Sequence, residues 1–165
     1  MSLAEFVIAT GLMTTLMGML AVEYVYFTRS FARLQNYMYM SGKSRYAMDR
    51  MSKEIRQADS IAAYATNKLT ILRNGANISF TYDPVQRTLS RQSGSTNELY
   101  LAGCDYLRFD VFQRSTIANS YDLYPATNVT VAKVVQMDWV CSRKIMGAKA
   151  NTESIQSSKV TLRKK

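Results

Sequence analysis

Residues 1–27 decide the fold, and they read MSLAEFVIATGLMTTLMGMLAVEYVYF. Residues 6–22 carry no charged side chain. As a helix they are roughly 25 Å long at about 1.5 Å per residue, close to the thickness of a bilayer's hydrocarbon core. One carboxylate, Glu5, stands directly before this run. Placing a carboxylate in lipid costs about 3 kcal/mol or more unless a partner compensates it, so Glu5 is a candidate functional residue.

Composition excludes several kinds of chemistry. The chain has 165 residues, a net charge of +9, two cysteines and no histidine. This length predicts one domain, or one domain with an appendage. Without histidine there is no imidazole for proton transfer or metal binding, and two cysteines alone cannot hold a structural zinc ion. The sequence also lacks a glycine-rich phosphate-binding loop. We therefore expect no enzyme activity, no cofactor and no metal.

The first sixty residues predict a single long helix. No proline occurs from residue 2 to residue 60, and the only glycines there are Gly11, Gly18 and Gly42. Beyond the apolar run, apolar residues recur at helical spacings of three and four, which predicts an amphipathic helix. They are Phe31, Leu34, Met38, Met48, Met51, Ile55, Ala58 and Ala62. We expect residues 1–27 to be the apolar half of the helix and residues 28–62 to be its amphipathic half.

Residues 63–165 predict an antiparallel sheet. Apolar and polar side chains alternate there, which is typical of strands that are buried on one face. The alternating segments are KLTILRNG, ANISFTYD, RTLSRQ, ELYLAG, YLRFDVFQR, KVVQMDWVC and SSKVTLRK. Asn74-Gly75 predicts a hairpin turn, and Asp83-Pro84 predicts a second turn. We expect a meander of about four strands whose apolar face packs on the helix.

Cys104 and Cys141 have two interpretations. In an exported domain the pair predicts a disulfide that would stabilise the fold by roughly 3–4 kcal/mol. The alternative is two reduced thiols buried as small apolar side chains.

Two simple explanations of the apolar run leave features unexplained. A cleaved secretory signal needs a basic segment before a short apolar core, but no basic residue precedes Arg29. A permanent membrane anchor explains the length of the run but not Glu5. It also puts Arg29 and Arg33 on the same side as the sheet, which the positive-inside rule predicts to be cytoplasmic.

Two segments resemble the type IV pilin superfamily. MSLAEFVIATGLM is similar to the mature N-terminus of these proteins at Met1, Ser2, Leu3 and Glu5, where a basic leader ending in glycine is removed before the first residue. Met1 stands where phenylalanine is commoner in the family. RYAMDRMSKEIRQADSI resembles the corresponding stretch of J-type pseudopilins and related minor pilins. Together the two segments cover about the first sixty residues.

The resemblance implies an α+β pilin fold, with a long N-terminal helix packed on a C-terminal antiparallel sheet. It also implies that the helices bundle into a filament in which Glu5 pairs with the α-amino group of Met1 on a neighbouring subunit. Met1 would be the site of leader removal and N-methylation. The alternative for Glu5 is an acid that reaches the membrane interface from near the helix end.

The implied function is structural: a subunit of a type IV pilus-like filament, which is a helical homo-oligomer. One alternative is a minor pseudopilin of a type II secretion or DNA-uptake system. Another is a DNA-binding receptor pilin that uses the basic residues. The implied partners are other pilins or pseudopilins, the inner-membrane assembly platform, the prepilin peptidase and, before assembly, the membrane. The implied location is the bacterial inner membrane and then an extracellular pilus or a periplasm-spanning pseudopilus.

Glu23, at the far end of the apolar run, has two interpretations. It is either a solvated acid at the outer membrane interface or a partner of Arg29 or Arg33 on another subunit.

Overall fold

One long helix begins the structure. The computed structural model describes residues 2–115, 117, 119–120, 122–145, 148–149 and 154–163. Helix α1, Leu3–Arg56, has 54 residues and is therefore about 80 Å long. Ser2 is its N-cap, and the backbone N–H of Gln57 closes its C-terminal end by donating to the Lys53 carbonyl at 3.1 Å. The prediction of a single long helix is confirmed.

Only the C-terminal half of α1 is buried. Residues 2–29 are exposed throughout, and the first buried residue is Met40. From there the buried positions recur at helical spacing, which gives one face that packs on the sheets. These positions are Met40, Ser44, Ala47, Met48, Met51, Glu54 and Ile55.

A five-stranded antiparallel sheet follows the helix, with its strands side by side in chain order. Its strands are β1 Ser60–Ala65, β2 Lys68–Arg73, β3 Ala76–Asp83, β4 Thr88–Ser93 and β5 Thr96–Ala102. The predicted hairpin turn joins β2 to β3, and both Asn74 and Gly75 have positive φ, as a tight hairpin requires. The predicted turn after β3 is also present, because the Asp83 carboxylate accepts hydrogen bonds from the backbone N–H groups of Val85 and Gln86.

A second antiparallel sheet has the strand order β11-β8-β6-β7. These strands are β6 Cys104–Arg114, β7 Leu123–Pro125, β8 Val134–Cys141 and β11 Ser154–Thr161. Two short strands, β9 Lys144–Ile145 and β10 Ala148–Lys149, form a separate pair between β8 and β11. The structure thus has two main sheets where the sequence predicts one sheet of about four strands. Gly103, with φ +78°, lets the chain pass directly from β5 into the second sheet.

The predicted end of the amphipathic half, residues 28–62, is wrong. The helix ends at Arg56, and the last residues of the predicted half belong to β1, Ser60–Ala65. Ile61 is buried, but in a strand paired with β2, and Ala62 is exposed. Pairing with a buried apolar strand outweighs the helical spacing of these residues, because tertiary contacts override local propensity.

Buried polar contacts attach α1 to both sheets. The Trp139 indole N–H on β8 donates to the Ser44 hydroxyl at 2.7 Å. The Arg91 guanidinium on β4 donates to the Glu54 carboxylate at 2.9 Å, and both side chains are largely buried. Removing one partner of such a buried pair costs about 3–5 kcal/mol. The C-terminal half of α1 and the sheets therefore form one unit.

Replacing Ser44 with alanine leaves the buried indole N–H of Trp139 without an acceptor. We expect the free energy of unfolding to fall by about 1–3 kcal/mol. Trp139 is the single tryptophan, so its fluorescence during urea unfolding of the full chain in detergent measures this loss. Ser41→Ala, at a half-buried position on the same helix, is the control and should change stability by less than about 0.5 kcal/mol. Equal losses in the two variants would contradict the role given to the hydrogen bond.

Candidate functional site

The exposed N-terminal part of α1 is an apolar surface. We call residues 3–27 the apolar half of α1. It contains large apolar side chains that are exposed by half or more, among them Leu3, Phe6, Leu12 and Met13. The helix is long and apolar enough to cross a membrane. A surface of this size marks a contact with lipid or with another protein.

The hydroxyl groups in the apolar half are satisfied within the helix. The Thr10 hydroxyl donates to the Phe6 carbonyl at 3.0 Å, and the Thr14 and Thr15 hydroxyls donate to the Gly11 carbonyl at 2.9 and 3.2 Å. These hydroxyls are therefore compatible with an environment that contains no water.

Glu5 belongs to a capping box at the start of α1. Its carboxylate accepts a hydrogen bond from the Ser2 backbone N–H at 2.8 Å, and the Ser2 hydroxyl accepts one from the Glu5 backbone N–H at 3.3 Å. This pair was not predicted, although the spacing Ser-x-x-Glu signals it. The capping box orients the Glu5 side chain along the helix end but supplies no counter-ion for its charge. Met1 lies outside the described residues.

The structure does not bring Glu23 together with Arg29 or Arg33. All three side chains are exposed on α1, and they make no ion pair with one another within residues 2–115. Both interpretations of Glu23, a solvated acid or a partner of Arg29 or Arg33 on another subunit, stay predictions.

Part of the positive charge is already neutralised within the chain. Four arginines pair with carboxylates: Arg50 with Glu98, Arg87 with Asp105, Arg91 with Glu54, and Arg108 with Asp110. The net charge of +9 already includes these carboxylates, so the DNA-binding alternative stays a prediction.

The two cysteines face each other inside the fold. Cys104 on β6 and Cys141 on β8 are directly opposite in the strand register, and both side chains are buried. Their Sγ atoms lie 2.7 Å apart. The hydrogen bond to Cys141, followed by burial, raises the pKa of the Cys104 thiol. The structure brings the predicted pair together, and the disulfide itself stays a prediction.

A polar cluster surrounds the cysteines at the corner where the two sheets meet. Arg87 pairs with Asp105 and donates to the carbonyls of Gly103 and Ser142, each at 3.2 Å. The Ser142 hydroxyl donates to Asp105. Sequence reasoning missed this cluster, because its members come from three separate segments and no local pattern links them.

Comparisons with known proteins give no further guide to function. No family model, curated protein or solved structure matches the chain. The class that the structure defines is an α+β protein of pilin-like architecture, in which one long N-terminal helix is exposed in its first half and packs on antiparallel sheets with its second half.

Replacing Gly103 with alanine should destabilise the corner. A Cβ atom there would lie 2.9 Å from the Ser142 carbonyl oxygen, and the backbone has φ +78°. Gly94 has φ +58° and nothing within 4 Å of a built Cβ, so Gly94→Ala measures the conformational cost alone, about 1–2 kcal/mol. We expect Gly103→Ala to lose clearly more stability than Gly94→Ala in urea unfolding. Equal losses would show that the close approach to Ser142 is unimportant.

Air oxidation of the purified chain should join Cys104 to Cys141. The oxidised protein should lack reactive thiols after unfolding and be more stable than the reduced protein by about 3–4 kcal/mol. In the reduced folded protein, iodoacetamide should react slowly with Cys104, because burial and a raised pKa keep its thiol protonated. Two thiols that are free after oxidation and unfolding would contradict the disulfide.

Proposed function

We propose that the chain is a structural subunit of a type IV pilus-like filament that polymerises through the apolar half of α1. The observation that carries this proposal is an exposed, apolar helix with a single carboxylate, Glu5, at its start. Each large apolar side chain left in water costs about 1.5–3 kcal/mol relative to burial. The apolar half therefore requires a cover, and bundling with other copies provides one.

Glu5 favours a filament over a permanent anchor. In the core of a filament its carboxylate would be surrounded by apolar side chains, and the capping box satisfies one lone pair without neutralising the charge. No side chain from Ser2 to Phe27 carries a positive charge that could neutralise Glu5. The resemblance implies that this cation is the α-amino group of Met1 on a neighbouring copy. Such a pair forms at one axial offset only and would thus fix the register between subunits.

The attachment of α1 to the sheets gives the filament its outer layer. Ser44 and Glu54 hold the C-terminal half of the helix to both sheets through Trp139 and Arg91. When the apolar halves gather around a common axis, the sheet domains must follow and lie outside them. The basic, polar surface of these domains would then face water.

The proposed path begins in the inner membrane and ends in the filament. The apolar half is long enough to span a bilayer, so it can hold the subunit in the membrane before assembly. The prepilin peptidase, the assembly platform and other pilins are the partners implied by the resemblance. The final location is an extracellular pilus or a periplasm-spanning pseudopilus.

A second candidate function is that of a minor, J-type-like pseudopilin of a secretion or DNA-uptake system. It is favoured by RYAMDRMSKEIRQADSI, which forms the part of α1 that packs on the sheets and the start of β1. The two candidates differ in stoichiometry. A chain that dominates sheared filaments is the main subunit, and one present in traces is a minor subunit.

Glu5→Gln tests the charge and not the cap, because glutamine also accepts the capping hydrogen bond at this position. We expect Glu5→Gln to accumulate in the membrane fraction and to give no filaments. Ser2→Ala is the matched control, since it removes the capping hydroxyl and keeps the carboxylate. We expect it to assemble, with helix stability reduced by about 1 kcal/mol. Filaments are sheared from cells and pelleted, and subunits are quantified by immunoblot.

Filament yields at the normal level from Glu5→Gln would overturn the role of the charge. Loss of filaments from Ser2→Ala as well as from Glu5→Gln would show that assembly needs the helix cap in addition to the charge.

A further inference from the structure

A groove runs between the middle of α1 and the free edge of the first sheet, where β5 is the edge strand of the described part of the chain. Its main section has a volume of about 640 Å³, and a deeper section of about 150 Å³ adjoins it. We call this the α1–β5 groove. The main section is lined by Met38, Tyr39, Gly42, Lys43, Tyr46, Glu98, Leu99 and Tyr100.

Apolar and aromatic side chains line much of the groove. It also contains one positive charge that no described carboxylate neutralises. Leu99 is 62% exposed, and the neighbouring tyrosines add aromatic surface. Arg50 and Glu98 neutralise each other in an ion pair. Burial, followed by the nearby charge of Glu54, raises the pKa of Tyr100 to about 12, so its phenol is neutral. Lys43 lies over the Tyr39 ring, 5.9 Å from its centroid, and makes no ion pair within the described residues.

The groove continues the exposed apolar surface of α1. Phe31, Leu34 and Met38 follow the apolar half at spacings of three and four residues, and each is more than half exposed. They form a stripe on one side of the helix that leads to the groove. A second helix lying along the apolar half therefore meets the groove at the point where the sheets begin.

We propose that the α1–β5 groove receives the end of the apolar half of a second copy, with Tyr24 and Phe27 of that copy in the groove and its Glu23 beside Lys43. This inference rests on the proposed function. Glu23 and Lys43 are twenty residues apart on α1. When Glu23 of one copy lies beside Lys43 of a parallel copy, the two helices are displaced along their axes by about 30 Å. This offset differs from that of the Met1–Glu5 contact. Both contacts coexist because each subunit of a helical filament has several neighbours.

Lys43 suits Glu23 better than Arg29 or Arg33 does. The two arginines are exposed on α1 and lie outside the residues that line the α1–β5 groove. Lys43 stands beside a cavity that accepts such side chains. An acid next to large aromatic residues and a lysine next to an aromatic-lined groove are complementary in both charge and shape.

Charge exchange tests the pair. In cells, we expect Lys43→Glu and Glu23→Lys each to lower the filament yield about tenfold, and the double exchange Glu23→Lys/Lys43→Glu to restore most of it. Arg29→Glu is the matched control and should leave the yield unchanged. Loss of filaments in Arg29→Glu with rescue by Glu23→Lys would overturn the assignment in favour of the arginine, as would normal yield from Lys43→Glu.

Filling the groove tests its occupancy independently. A Cβ atom at Gly42 meets nothing within 4 Å, so a side chain there enters open space without straining the fold. We expect Gly42→Phe to block assembly and Gly42→Ala to permit it, with equal amounts of both proteins in the membrane. Normal filaments from Gly42→Phe would end the groove proposal while leaving the proposed function intact. An absence of filaments from the unmodified chain would instead overturn the proposed function.

Discussion

The apolar half of α1 must be covered, and this constraint shapes the rest of the molecule. The first half of this helix stays exposed, because the buried positions of α1 begin only at Met40. The exposed part has two chemical covers, lipid and other copies of itself. Both are apolar, so the hydrophobic effect alone distinguishes them weakly. Glu5 is the feature that differs between the two covers, because its charge needs a cation and no side chain from Ser2 to Phe27 carries one.

The sheets hold α1 in one rotation about its axis. Each subunit can therefore present the same side of the helix to its neighbours. Glu54 and Ser44 are polar residues on an otherwise apolar helix face, and each has one buried partner on a different sheet. Polar contacts of this kind have stricter geometry than apolar packing, so they fix the rotation of α1 about its axis. A fixed rotation determines which side of the apolar half meets a neighbouring subunit.

Much of the fold could be predicted from the sequence because its signals are local. The absence of proline, the apolar spacing in α1 and the turn at Asn74-Gly75 each act within a few residues. The end of α1 could not be predicted, since Ile61 satisfies the helical spacing equally well and joins a strand only because β2 lies beside it. The division into two sheets depends on Gly103 and its close approach to Ser142, a contact between segments far apart in the chain.

Some parts of the candidate site also have local sequence signals, and other parts depend on contacts between distant segments. Glu5 stands out in the sequence because a charge beside an apolar run is rare, and its capping box could have been predicted from the Ser-x-x-Glu spacing. The sequence predicts that Cys104 and Cys141 lie close together, but only the strand register shows that they are directly opposite each other. The α1–β5 groove has no sequence signal, because it forms only where the helix passes the edge of a sheet.

Chemical cross-linking within filaments tests the central claim most directly. Filaments assembled from a mixture of unlabelled and ¹⁵N-labelled subunits are treated with a hydrophobic carbodiimide, which joins a carboxylate to an amine in contact with it. Peptides are then identified by mass spectrometry. The account predicts a peptide in which the Met1 amine of one copy is joined to Glu5 of another, with mixed isotope labels. A Glu5 that is joined to Met1 only within its own copy, or that forms no cross-link at all, would contradict it.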